Sequence, residues 1–264
     1  KTAYEIGVRL VGSEMCIRDR VQRVRLRYAK RGRMRFGSTR DFQRALERAL
    51  RRAEVPIAFS SGFHPHPRIS YANAAPTGAA SEAEYVELAL AQRVDPAQLR
   101  AALDAALPDG LDVVEVVEAG VGALAERLEA SDWQVQLRGL DPDSVTRAVA
   151  AYLAVAHAPV TRMLKTGARV VDTRAAVVSM LVEDGPALPP HSAGPERCAI
   201  LRMVVRHTTP AVRPDDILTA LRAVAGLEPP TPPLVTRLAQ GPLQDATGRV
   251  ADPLATDEKA DGAW

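Results

Sequence analysis

The sequence predicts an α+β fold: two βαββαβ units in tandem, each an antiparallel sheet with helices on one face. Two periodicities and one recurrence carry this expectation. Val24, Leu26 and Tyr28 alternate with Arg23, Arg25 and Arg27, the two-residue period of a half-buried strand. Phe42, Ala45, Leu46, Ala49, Leu50 and Ala53 then fall at helical spacing. A matching stripe of Val145, Ala148, Val149, Tyr152, Leu153 and Ala156 returns at a constant offset of 103 residues, behind a second alternating strand of Trp133, Val135 and Leu137.

The elements follow in order. After the first strand comes a basic turn, Lys30-Arg31-Gly32-Arg33. Ser38 and Asp41 are then spaced as a capping box at the start of the first helix. Strands are expected near Arg68–Ala72 and Tyr85–Leu90. Asp95-Pro96 opens a second helix with the stripe Leu99, Ala102, Leu103, Ala106 and Leu107. Pro108-Asp109-Gly110 ends it, and Leu111–Val117 reads as a closing strand. This order is the ferredoxin-like plan. In the second unit, Asp141-Pro142 opens a helix and strands are expected near Val160–Leu164 and Cys198–Arg206. Arg213-Pro214-Asp215 opens a last helix that Gly226 closes, and residues 172–183 fit strand or helix equally. Residues 185–197 and 228–233 are expected as Pro-rich loops. The resulting division is 21–120 for a basic first unit, 131–243 for the second and 244–264 for a disordered tail. Residues 1–20 lack the alanine-rich character and period of the rest and read as a non-native or disordered leader.

Composition bounds the chemistry. Of 264 residues, 47% are hydrophobic and 25% charged, values of a soluble globular chain that exclude collagen, long coiled coil and full disorder. No apolar run reaches the roughly 18–20 residues of a membrane span, so no membrane partner is expected. Cys16 and Cys198 are too few for a disulfide framework, a four-Cys zinc site or a three-Cys iron–sulfur cradle. A cytoplasmic location and no cofactor are the corresponding expectations.

Charge is unevenly placed. Residues 21–52 carry 12 basic and two acidic side chains, whereas residues 53–120 carry three basic and ten acidic ones. Arg23, Arg25 and Arg27 would stand on the sheet face opposite the helices. Arg40, Arg44, Arg48 and Arg52 repeat every four residues along the first helix. Like charges at that spacing cost about 0.2–0.5 kcal/mol per pair, a self-repulsion that binding phosphates would relieve. Arg23, Arg25, Arg27, Lys30, Arg31, Arg33, Arg35, Arg40, Arg44, Arg48 and Arg68 are therefore the candidate nucleic-acid contacts. The competing expectation is internal neutralisation, with Glu87 and Glu115 pairing Arg25 and Arg27 across the sheet.

The run Ser60-Ser61-Gly62-Phe63-His64-Pro65-His66-Pro67-Arg68 is stiff, because each Pro fixes its own φ and extends the preceding His. It could be a recognition loop, or it could present His66 as a general acid/base. Metal binding lacks further ligands at suitable spacing.

From Arg25 to Leu90 the chain resembles the radical S-adenosylmethionine-linked protein family, bacterial domains found alone or fused behind a radical enzyme. The resemblance is carried by Ser38 and Asp41, by Arg48 and Arg52, by Ser60, Gly62 and Phe63, by Pro65, His66 and Pro67, by Gly78, and by Ser81, Glu82, Glu84 and Tyr85. Weaker similarity continues through Lys165, Asp172, Arg213-Pro214 and Arg237. Thr39 stands where the family commonly has His, and His64 where Asn or Ser is usual. The resemblance implies an accessory module for a radical enzyme acting in trans, with RNA (tRNA or ribosomal RNA) as substrate class. Two alternatives stay open: metal-independent RNA processing through His66, and a pure protein–protein adaptor.

Overall fold

A computed structural model describes residues 20–61, 63–164, 167–185 and 197–255. It is a mixed α+β fold whose described residues form four helices and a mostly antiparallel sheet. In chain order the elements are β1 (Gln22–Lys30), α1 (Thr39–Arg52), β2 (Ile69–Ala72), β3 (Ala80–Leu90), α2 (Pro96–Ala106), β4 (Leu111–Glu118), β5 (Ala130–Arg138) and α3 (Pro142–Ala154). They continue with β6 (Pro159–Leu164), β7 (Gly167–Asp172), β8 (Val177–Asp184), β9 (Cys198–Arg206), α4 (Pro214–Ala225), β10 (Leu234–Gly241), β11 (Leu243–Gln244) and β12 (Arg249–Val250). None of the helices is long and apolar enough to cross a membrane.

The expected pair of separate sheets is corrected: one eight-stranded sheet runs β4-β1-β3-β10-β5-β9-β8, with β2 beside β3. All its pairings are antiparallel except β3 with β10, which are parallel and meet at Ala80–Thr236 and Ser81–Arg237. That short junction joins the two halves. β6 and β7 form a hairpin outside the sheet. The ambiguous stretch 172–183 becomes a short 3-10 turn followed by β8.

The periodicities translate directly into packing. Val24, Leu26 and Tyr28 are buried against Phe42, Leu46, Leu50, Leu99 and Leu103 of α1 and α2. The capping box forms as the spacing requires: the Asp41 N–H donates to Ser38 Oγ (3.3 Å) and the Ser38 N–H to Asp41 Oδ2 (2.9 Å). These hydrogen bonds to Ser38 hold the Asp41 carboxyl below the usual carboxylate range. On α2, Ala102 lies exposed rather than in the core stripe, while Leu99, Leu103 and Ala106 are buried. Trp133, Val135 and Leu137 pack with Val145, Val149, Tyr152, Ile217 and Leu221 under α3 and α4. Ala156 falls beyond α3 and is exposed. Gly226 ends α4 in the left-handed region (φ 66°), a backbone that glycine adopts without cost.

Two further expectations are revised. The face opposite the helices is not open. Ala72, Ala83, Tyr85 and Val117 on that side pack with Leu124, Leu128 and Leu254. The tail is not disordered over 244–255, because β11 pairs with β12 and Leu254 is fully buried. Residues 256–264, Gly62, Lys165 and residues 1–19 of the leader lie outside the described residues.

Candidate functional site

The arginines of the candidate list separate into two environments, and a third charged environment lies at the seam between the halves. Those on the far face of β1 are neutralised. Arg25 has no solvent exposure; its Nε lies 2.9 Å from Glu87 Oε2, and its Nη2 donates to the Gly122 carbonyl at 2.5 Å. Arg23 reaches Glu87 Oε1 (3.3 Å) and the Gly120 carbonyl (3.1 Å). Arg27 pairs with Glu115 (3.2 Å) and approaches Asp252 (4.0 Å). Cross-strand register explains the first pairing, since Arg25 stands opposite Glu87 on β3, while Arg27 stands opposite Glu115 on β4. Arg31 is held by Glu82 and by Asp112 (2.7 Å), and its guanidinium pKa is raised by the hydrogen bond to Glu82. As an interface, the β1 face is thus corrected to internally paired charge.

The second group is free of such pairing. Arg40, Arg44 and Arg48 are exposed along one side of α1 and form no ion pair among the described residues. The same holds for Arg33 on the 3-10 turn Gly32–Phe36 and for exposed Arg68, while Arg35 on that turn is half-buried over the Phe36 ring (4.6 Å), also without an ion pair among the described residues. Arg52 instead donates to the Ala106 carbonyl at the end of α2 (3.1 Å).

The His-Pro loop projects from the β2 end of the same half. The Ser60 N–H donates to the His66 carbonyl (2.8 Å) and the His66 N–H to Ser60 Oγ (2.9 Å), which closes the loop at its base. Pro65 is exposed, Pro67 bridges to Phe59, and Phe63 is fully exposed at the tip. Both imidazoles are exposed, and neither has a side-chain partner among the described residues, so no third group orients His66. No cluster of three His, Cys, Asp or Glu side chains forms among the described residues.

The third environment is the seam between the halves, on the helix side of the sheet. Glu84 faces it from β3 and Arg237 from β10; both are 2% exposed and ion-paired. Arg237 also donates to the Asn73 carbonyl (2.9 Å), Gln240 Oε1 (3.2 Å) and Ser81 Oγ (3.4 Å), and stacks over Trp133 at 5.3 Å. Glu84 receives the Ala75 N–H (3.1 Å), and Gln240 donates to the Ala83 carbonyl (2.6 Å). His207 lies beside Ser131 Oγ (2.8 Å) and the Leu128 carbonyl (2.7 Å); burial lowers its pKa, the carbonyl opposes that shift and Arg237 adds to it.

The segment Asn73–Ala79 runs along this seam. On one side, Tyr28, Lys30, Ser38, Thr39 and Glu84 line a small cavity at the start of α1. On the other, a groove of about 270 Å³ is lined by Trp133, His207, Arg213 and Arg237. Gly78 turns the segment with φ 97°, and its N–H donates to the Arg35 carbonyl (2.7 Å).

The motif residues therefore divide by task. Ser38 and Asp41 cap α1, Ser60 and His66 close the loop, Glu82 neutralises Arg31, and Ser81 with Glu84 clamps Arg237. Tyr85 is buried on the opposite face, which pushes its phenol pKa up. Sequence reasoning did not place Asn73, His207, Gln240 or the groove. The available signal was the run Leu234-Val235-Thr236 preceding Arg237 and Gln240, a β-rich stretch carrying two polar residues that a core strand must satisfy.

A bacterial family described as an uncharacterised protein conserved in bacteria (DUF2344) matches residues 23–214. The chain belongs to this family. The match spans β1 to the start of α4 and contains every motif residue from Ser38 to Tyr85. No curated protein matches the chain.

Proposed function

We propose that this family member is a non-catalytic binding module that holds RNA for a radical S-adenosylmethionine enzyme acting in trans. The observation that carries the reading is the contrast among its arginines: the β1 guanidiniums are ion-paired with carboxylates, whereas Arg40, Arg44 and Arg48 stand exposed on α1 and form no ion pair among the described residues. An unmatched row of guanidiniums suits a phosphodiester backbone, which Arg grips bidentately. The radical enzyme enters through the resemblance of residues 25–90. We also infer that each half is a ferredoxin-like unit. Neighbours β4-β1-β3-β2 and β10-β5-β9-β8 have the same order along their chains, with the β6–β7 hairpin as an insertion in the second.

The test is RNA affinity as a function of salt. For single strands log K is expected to fall with log salt at a slope of about −0.7 per phosphate neutralised. Arg44→Glu with Arg48→Glu should shallow that slope, while Arg23→Gln, on the paired face, should not. Affinity that is absent, or indifferent to salt, defeats the reading.

The fully exposed Phe63 favours a second reading, a protein adaptor docking through the closed Ser60–His66 loop. Retention of a radical enzyme by the nuclease-treated protein, lost in Phe63→Ser, would support it.

A further inference from the structure

Lys30 is the one lysine among the described residues of a chain with 30 arginines. It is 7% exposed, and its ammonium has three N–H donors but a single acceptor, the Ala75 carbonyl at a long 3.4 Å. Beside it, Tyr28 is 5% exposed, and its hydroxyl has no hydrogen-bond partner among the described residues. Lys30, Tyr28, Ser38 and Thr39 line one cavity at the start of the 14-residue α1, and so does Tyr71, whose buried hydroxyl has no partner among the described residues. Buried donors left without partners are rare in folded proteins and mark a place for a water or a ligand atom. The Thr39 and Arg40 N–H groups, the first of the helix, have no backbone acceptor there. The carboxylates nearby are already engaged. Glu84 is paired with Arg237 and receives the Ala75 N–H, and Asp41 is held by Ser38.

We propose that this cavity is the seat of a terminal phosphate monoester on the bound RNA. The inference rests on the RNA reading above and specifies which part of the strand is recognised. Free space of about 20 Å³ in the cavity that Lys30 and Tyr28 help to line admits one oxygen-sized atom. The other phosphate oxygens then lie outside, on the helix N–H groups, where the α1 macrodipole favours negative charge. A monoester offers three terminal oxygens and up to two charges for this arrangement, whereas a diester offers two oxygens and one charge. From the seat, Arg40, Arg44 and Arg48 mark the path of the strand along α1.

The experiment compares the full chain binding an unlabelled RNA 12-mer that ends in a 5′-phosphate, a 3′-phosphate or hydroxyls only. Phosphate on one end should tighten binding by roughly tenfold, the scale of a charged hydrogen bond. Lys30→Met and Tyr28→Phe should each remove most of that gain, read as the ratio of phosphate-ended to hydroxyl-ended affinity. Tyr28→Phe keeps the ring stacked on Phe42, at 4.0 Å between centroids, which guards against a folding artefact. Equal affinity for all ends overturns the seat while leaving the RNA reading standing. The seat is also tested without RNA, by titrating inorganic phosphate or AMP against the Nζ resonances of the lysine-labelled chain, with Lys30→Met as the assignment. A phosphate-dependent shift of the Lys30 signal supports the seat even if RNA does not bind; an unmoved signal means the cavity holds water only, and the proposal fails.

Discussion

Arg25 is fully buried against half-buried Glu87, and their partnership decides what the arginines of β1 do. With Arg25 fully buried, removing Glu87 would take a bonded carboxylate away from a guanidinium held inside the fold. Glu87→Ala is therefore expected to cost about 3–5 kcal/mol in chemical denaturation, the scale of a broken buried pair. Lys30 behaves oppositely. Burial lowers its pKa against the raising influence of Glu84, so the ammonium is held at a cost. Lys30→Met should keep or raise the melting temperature. His207 supplies a pH dependence. Its pKa is lowered on folding, so below the ordinary value near 6.5 the unfolded chain takes up the proton first. Stability should hold at neutral pH and fall on acidification through and below pH ~6.5, with a weaker fall in His207→Gln. These environments were only partly legible in the sequence. The alternation in 23–28 placed the arginines on one face, and the acidic run after residue 53 raised the possibility of internal pairing. Which of the two prevailed depended on the covering segments around Leu124 and Leu254, whose packing no local period announces.

Among the elements, α1 was the most legible because three signals agreed: a capping box, a continuous apolar stripe and a charged opposite side. Ser38→Ala is expected to cost about 1 kcal/mol by thermal or urea denaturation, from the loss of the cap. β10 was not legible. It follows directly on the Pro-rich residues 228–233, and its polar positions Arg237 and Gln240 break the apolar run. Those positions are polar because they face a seam rather than a uniform core. The β6–β7 hairpin was half seen, since only its first strand showed a β pattern. Arg162 fastens it to α4 through Asp216 and the Ala211 carbonyl (3.1 Å).

At the scale of the whole molecule, the halves share one sheet through two register positions and the Glu84–Arg237 pair. A double-mutant cycle on Glu84→Gln and Arg237→Met should show coupling well above the roughly 0.3–0.5 kcal/mol of independent sites. Intact protein should unfold in one transition, and the Arg237→Met variant should separate into two, read by calorimetry. The recurring stripes marked the apolar faces of α1 and α3, but the continuity of the sheet was not legible, because a parallel contact between distant strands leaves no periodic trace.

The place of β10 has a practical corollary. Chain order puts this strand after every helix, yet in space it is wedged mid-sheet, between β3 and β5. A fragment trimmed to the family's matched span, ending at residue 214, would be missing its keystone. Two long strands would be left with raw hydrogen-bonding margins, which invite sticking between molecules. Such a truncation should yield aggregates, and adding back residues as far as Gly241 should restore a monodisperse product.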